Sequence, residues 1–161
     1  MKTLILIRHA KSSWNFDVID HQRPLNKRGL NDADLVSTYL AESNPKIDML
    51  LCSDAKRTRL TSDFFISKLS IDSDRIVFNH ELYDFDGRSL ENVIKHCAPS
   101  TNNLMVFGHN HAVTFFVNKF GNKYIENVPT CGVVIINFDI SDWSDLTKGE
   151  TIQIIFPKQL K

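Results

Sequence analysis

Two periodicities alternate along this chain. Leu4, Ile5, Leu6 and Ile7 are apolar without a break, so Thr3 to Ile7 reads as a strand buried on both faces, the pattern of a parallel sheet. From Gly29 to Ala41 the period changes, with Leu30, Ala33, Leu35, Val36, Tyr39 and Leu40 falling at helical spacing. Asp48 to Cys52 returns to a short apolar strand, and Ser53 to Leu69 to a helix with Leu60, Phe64 and Phe65 inward. The alternation continues as a short strand (Arg75 to Phe78), a helix (Ser89 to Cys97), a third buried strand (Leu104 to Phe107) and an apolar helix (Ala112 to Phe120). Gly132 to Phe138 and Thr151 to Phe156 close the chain as two strands separated by a polar turn region, able to pair antiparallel. Strand alternating with helix predicts an α/β fold on a mostly parallel sheet, which the last hairpin makes mixed. The stretch Val133 to Ile136 is expected at an exposed hairpin edge, open to pairing with another chain; the oligomeric state is not read from the sequence.

There is no repeat, low-complexity tract or linker, and 161 residues suit a single domain spanning 1–161. Lys plus Arg and Asp plus Glu are both 19, so no basic excess points to nucleic acid, and an anionic ligand must be held by a local cluster. The apolar run after Lys2 is too brief for a signal peptide and no stretch approaches a membrane span, so no membrane partner is expected. Cys52, Cys97 and Cys131 are odd in number and match no metal spacing; free thiols and a cytoplasmic location are the expectation.

The chemistry gathers at strand tips, where open α/β sheets bind ligands. The first strand runs directly into Arg8-His9-Ala10-Lys11-Ser12-Ser13-Trp14-Asn15, and Val106-Phe107-Gly108-His109 repeats the theme of apolar strand, glycine, histidine. Ser53 follows a strand and is placed to cap the next helix, with Asp54 at its first position. On that helix Arg57 shares a face with Thr61 and lies in the first turn, within reach of the same edge as Arg8. Two arginines, two histidines and an asparagine near one point make a cradle for a phosphoryl dianion. A neutral imidazole there can attack phosphorus, and a second, protonated one can donate to the phosphoryl oxygens. The arginines supply the positive charge, so neither a metal nor a cofactor is expected.

Arg8-His9-Ala10 with Trp14-Asn15, the strand and Ser53-to-Thr61 block, and Gly108-His109-Asn110 together resemble the signatures of the histidine phosphatase superfamily, the phosphoglycerate-mutase-like group. Arg23-Pro24-Leu25-Asn26-Lys27-Arg28-Gly29 and Leu82-Tyr83 are similar to its small SixA-type branch of phosphohistidine phosphatases. The resemblance implies a three-layer α/β/α sandwich with the pocket at the carboxyl edge of the sheet. It also implies His9 as nucleophile, Arg8 and Arg57 as phosphate clamps, His109 as second histidine and Asn15 as phosphate donor. Ala10 stands where many members have glycine, Asp54 where the block has proline, and His111 where the branch often has proline.

Larger members of that family use a carboxylic acid to protonate the leaving alkoxide. The positional candidate for a general acid here is Asp84, then Glu81. An imidazole, with a reference pKa of about 6.5, leaves far more readily than an alkoxide. A compact chain with a weak acid therefore suits phosphohistidine on a protein, with signalling as the setting. A small-molecule phosphomonoesterase and a non-catalytic phosphoryl-binding module stay open as alternatives. Ser12 is a candidate phosphate ligand or a turn cap. Arg23 either contacts phosphate or orients its loop through Asp20 or Asp17. His109-x-His111 lacks a carboxylate or cysteine partner for a metal, His21, His80 and His96 are expected solvated, and Trp14 and Trp143 to be packing residues.

Overall fold

The computed structural model describes residues 1–161. Six strands form one sheet: β1 (Lys2–Arg8), β2 (Met49–Cys52), β3 (Ile76–Phe78), β4 (Asn103–Gly108), β5 (Val133–Phe138) and β6 (Glu150–Ile155). Four helices connect them: α1 (Lys27–Glu42), α2 (Lys56–Leu69), α3 (Arg88–Lys95) and α4 (Ala112–Phe120). The strand order is β3-β2-β4-β1-β5-β6, with β3, β2, β4 and β1 parallel and β5 antiparallel to both its neighbours.

Side-chain alternation along each strand explains the layering. Ile5 and Ile7 of β1, Met105 and Phe107 of β4, and Val133 and Ile135 of β5 join a core with Ala33, Val36 and Leu40 of α1 and Phe65 of α2. Their neighbours Leu4, Leu6, Leu104, Val106, Val134 and Ile136 face the other way, onto Leu90, Val93 and Ile94 of α3 and Val113, Phe116 and Val117 of α4. A sheet apolar on both faces needs helices on both, which gives the three-layer α/β/α sandwich. No helix is long and apolar enough to cross a membrane.

The chain turns to opposite faces of the sheet after β1 and after β4, which are neighbours, so a crevice opens between their carboxyl ends. Two local readings are corrected. The free edges are β3 and β6; Val133 to Ile136 lies in β5, hydrogen-bonded on both sides by β1 and β6, and offers no edge. The second helix begins at Lys56 with Ala55 as its uncapped N-cap, so Ser53 and Asp54 lie in the turn before it.

Candidate active site

Strand register builds the site. Arg8 pairs with Gly108, so the next residues, His9 and His109, leave adjacent strand tips side by side, with ring centroids 5.2 Å apart. Cys52 pairs with Phe107, which brings Ser53 to the same edge, where its Oγ lies 2.8 Å from His109 Nε2. The loop after His9 is fixed from two directions. Ala10 N–H donates to Thr61 Oγ1 (2.9 Å) on α2, and Asn26 N–H donates to the Lys11 carbonyl (3.0 Å). Gly29 makes the second approach possible, because a Cβ there would sit 2.1 Å from the Lys11 oxygen.

His9 is buried, and its Nδ1–H donates to the Ala10 carbonyl at 2.7 Å. That bond fixes the tautomer and leaves the Nε2 lone pair free. Burial pushes the His9 pKa down to about 3; the Ala10 bond opposes this, and the cations Arg57, Arg8 and Arg23 reinforce it. The ring is therefore neutral at physiological pH, with its Nε2 lone pair available.

His109 is also held neutral, at about 2, by burial first and then by His9 and Arg57, against an opposing pull from Asp20. The sequence-based expectation of a protonated second histidine does not hold for the free pocket, because burial foremost, and then His9 and the arginines, disfavour a charged ring. Ser53 Oγ accepts from Ala55 N–H (3.3 Å), and His109 Nε2 is the acceptor within reach of its buried hydroxyl proton, which places the imidazole proton on Nδ1. His109 Nδ1 and Arg8 Nε are both buried without a partner, two donors that an oxyanion would satisfy.

Arg57, 3% exposed, donates to the Asp20 carbonyl (2.8 Å) and to Asp20 Oδ2 (3.0 Å). Arg23, 7% exposed, donates to Asp20 Oδ1 (3.0 Å), Ser12 Oγ (2.6 Å) and the Ser13 carbonyl (3.1 Å). Tyr83 Oη also donates to Asp20 Oδ2. Asp20 is thus the carboxylate around which two arginines and a tyrosine are ordered. Partial burial would raise its pKa, but hydrogen bonds from Tyr83, Arg23 and Arg57 outweigh this and hold it far below the carboxylate range. Arg8 Nη1 donates to the Val128 carbonyl (3.0 Å), which anchors the third guanidinium.

Other candidates separate from this group. Asn15 is exposed, and only its backbone N–H is engaged, by Ser13 Oγ. Ser12 is tied to Arg23, so it orients that arginine. Trp14 lies beneath the Arg23 guanidinium, 3.2 Å from ring centroid to Cζ, and is 75% exposed, so it is a stacking partner rather than a core residue. Trp143 is packing, as expected: fully buried, with its indole N–H on the Thr101 carbonyl.

Asp84 is placed differently from a general acid. Oδ1 accepts from the N–H of Asp86, and Oδ2 accepts from those of Gly87 and Leu90, closing the entry to α3. Glu81 is exposed. Asp84→Ala should therefore lower stability by about 1 kcal/mol, as for other lost caps, and leave turnover within about twofold. A thermal midpoint unchanged alongside a collapsed kcat would restore Asp84 as the acid.

Sequence reasoning gave Ser53 only a capping role and Tyr83 none, and treated Asp20 as a loop salt-bridge partner. The Asp20-His21-Gln22-Arg23 spacing was the one available signal.

Comparison with known proteins agrees with this geometry. Residues 4–95, more than half of the chain, match the model of the histidine phosphatase superfamily (branch 1); His109 lies beyond the matched segment. An uncharacterized protein of Mycobacterium tuberculosis is 26% identical over 153 residues, covering 89% of this chain and 93% of the relative. A chloroplastic, uncharacterized protein of Arabidopsis thaliana is 29% identical, covering 89% of this chain and 70% of the relative. Among solved structures, a SixA protein from Agrobacterium tumefaciens superposes with a TM-score of 0.81 at 23% identity, over 97% of this chain and 98% of that one. The protein histidine phosphatase SixA complexed with tungstate superposes with a TM-score of 0.80 at 18% identity, over 99% of both chains. A buried, neutral histidine among arginines, on a fold shared with these proteins and under a matching family model, leads to one assignment: the chain belongs to the histidine phosphatase superfamily, branch 1.

Proposed function

We propose that this single-domain protein is a phosphatase that removes the phosphoryl group from phosphohistidine on a partner protein, through a covalent intermediate on His9. The observation that carries the reading is the His9 ring: buried, neutral, with Nδ1–H on the Ala10 carbonyl and Nε2 free beside three arginines. Nε2 attacks phosphorus, a new P–N bond forms, and the substrate P–N bond breaks with its electron pair going to the departing imidazole. That imidazole leaves neutral when its other ring nitrogen carries a proton. Water then attacks phospho-His9, the P–N bond breaks back to the His9 lone pair, and both water protons end on the released phosphate. Arg8, Arg57 and the His109 Nδ1–H stabilise the phosphoryl oxygens, with Arg23 holding Ser12 and the loop. The charge these groups provide lets the reaction proceed without a metal or cofactor.

Phosphohistidine is favoured over a phosphate ester by the state of the nearby carboxyls. Asp20 is held ionised by Tyr83 and two arginines, so it has no proton to give an alkoxide, and both Asp84 oxygens are taken up by backbone amides at the entry to α3. Exposed apolar side chains on the segment leaving the site (Trp14, Phe16, Val18, Ile19), with Phe85 against His109, give the neighbourhood a surface suited to a protein. Free cysteines are consistent with a cytoplasmic setting.

The test compares kcat/KM for a phosphohistidine-bearing protein with that for a panel of sugar phosphates. Phosphohistidine should be the faster by at least about tenfold, since the alkoxide leaves unassisted. Faster cleavage of the sugar esters would overturn the substrate assignment, and phosphate binding without turnover of either would identify a non-catalytic module.

A further inference from the structure

Beside the arginine-lined site lies a second cluster that the proposed reaction does not use. Asp54, in the turn between β2 and α2, receives two imidazoles: His21 Nε2 at 2.8 Å from Oδ1, and His80 Nδ1 at 3.0 Å from both oxygens. The three ligand atoms all lie within 4.8 Å of one another. We propose that His21, Asp54 and His80 bind one divalent transition-metal ion of the zinc class at the edge of the phosphoryl pocket.

The donor set has the composition zinc takes, two imidazoles and one carboxylate. With Zn–N bonds of about 2.0–2.1 Å, a tetrahedral ion separates its ligand atoms by about 3.3–3.4 Å. The two carboxylate–imidazole contacts are a few tenths of an ångström shorter than that, and the remaining edge is within 4.8 Å. Small rotations of surface side chains, 23%, 30% and 72% exposed for His21, Asp54 and His80, would admit an ion. The exposed side of His80 leaves the fourth position to water. His21 Nδ1 lies 3.1 Å from the Gln22 side-chain amide, which, turned to present its oxygen, would accept the remaining ring proton as outer-sphere partners of metal-bound histidines do.

The framework behind the ligands is ordered. Residue 21 follows Asp20, which Arg23, Arg57 and Tyr83 hold, and residue 80 opens a 3-10 turn whose Leu82 is buried. The Tyr83 ring packs on both imidazoles, at centroid distances of 5.0 Å and 5.6 Å. Lys56 and Arg59 line the adjoining hollow with Asp63 and oppose a cation there, which sets the site at moderate rather than high affinity.

Co2+ added to the metal-free protein should give visible absorption of a low-coordinate site, saturating at one ion per chain, and Zn2+ should displace it. His80→Ala and Asp54→Ala should each weaken Co2+ binding by at least about tenfold, while the thermal midpoint shift caused by inorganic phosphate persists, showing an intact fold. Absence of a saturable band at millimolar Co2+ would overturn the proposal. So would a band unchanged in His80→Ala, which would put the ion on other histidines such as His9 and His109.

Discussion

Replacing His9 with alanine is expected to lower kcat/KM by at least about 10⁴-fold, or about 5 kcal/mol of transition-state stabilisation. The effect is this large because no neighbouring group can substitute. His109 is 5.2 Å away between ring centroids, and its Nε2 is occupied by Ser53. Arginines bind phosphate but do not attack phosphorus. Wild-type protein quenched in alkali after brief exposure to a labelled phospho-donor should retain label that acid releases, the behaviour of a phosphoramidate. His9→Ala should retain none. Because the arginine cluster survives the substitution, the variant should still bind inorganic phosphate, measured as a rise in thermal midpoint. Label on His9→Ala equal to that on wild type would remove His9 from the nucleophile's role.

The second large effect concerns acid. His9 and His109 are held near pKa values of about 3 and about 2 in the folded protein, against about 6.5 in an unfolded chain. Below pH 6.5 the unfolded state takes up protons that the fold refuses, so stability falls as pH falls. Averaged over pH 6 to 4, each histidine contributes about 1.25 kcal/mol per pH unit, and the pair about 2.5 kcal/mol per unit. A loss on the order of 5 kcal/mol over that window equals the whole stability of a marginal domain. Urea midpoints measured from pH 7 to 4.5 should therefore drop steeply, before most carboxylates titrate. His9→Asn removes one of the two refusing groups, so its profile should be shallower by about one proton. An identical slope in the variant would show that His9 is not held neutral by the fold.

These expectations differ in how much of them the sequence already contained. Unbroken apolar runs at Leu4 to Ile7 and Leu104 to Phe107 sufficed to place two parallel strands, because a strand covered on both faces has no polar side to show. The charged residues that follow them, Arg8-His9 and Gly108-His109, marked the ligand edge for the same reason. Local rules also misled. Ser53 and Asp54 stand where a helix start favours them, yet α2 begins two residues later and both side chains turn to histidines brought in from elsewhere.

What the sequence by itself determined is the set of strands, the helices between them, and the identity of His9, Arg8, Arg57 and His109 as the residues at the sheet's carboxyl edge. These are consequences of period and order, which are local. Only the tertiary structure decided that Asp20 ties Arg23, Arg57 and Tyr83 together, that Asp84 closes a helix entry, and that His21 and His80 converge on Asp54. Those outcomes depend on segments far apart in the chain meeting in a particular register, and on burial, which sets the protonation of both active-site histidines and has no trace in the spacing of residues.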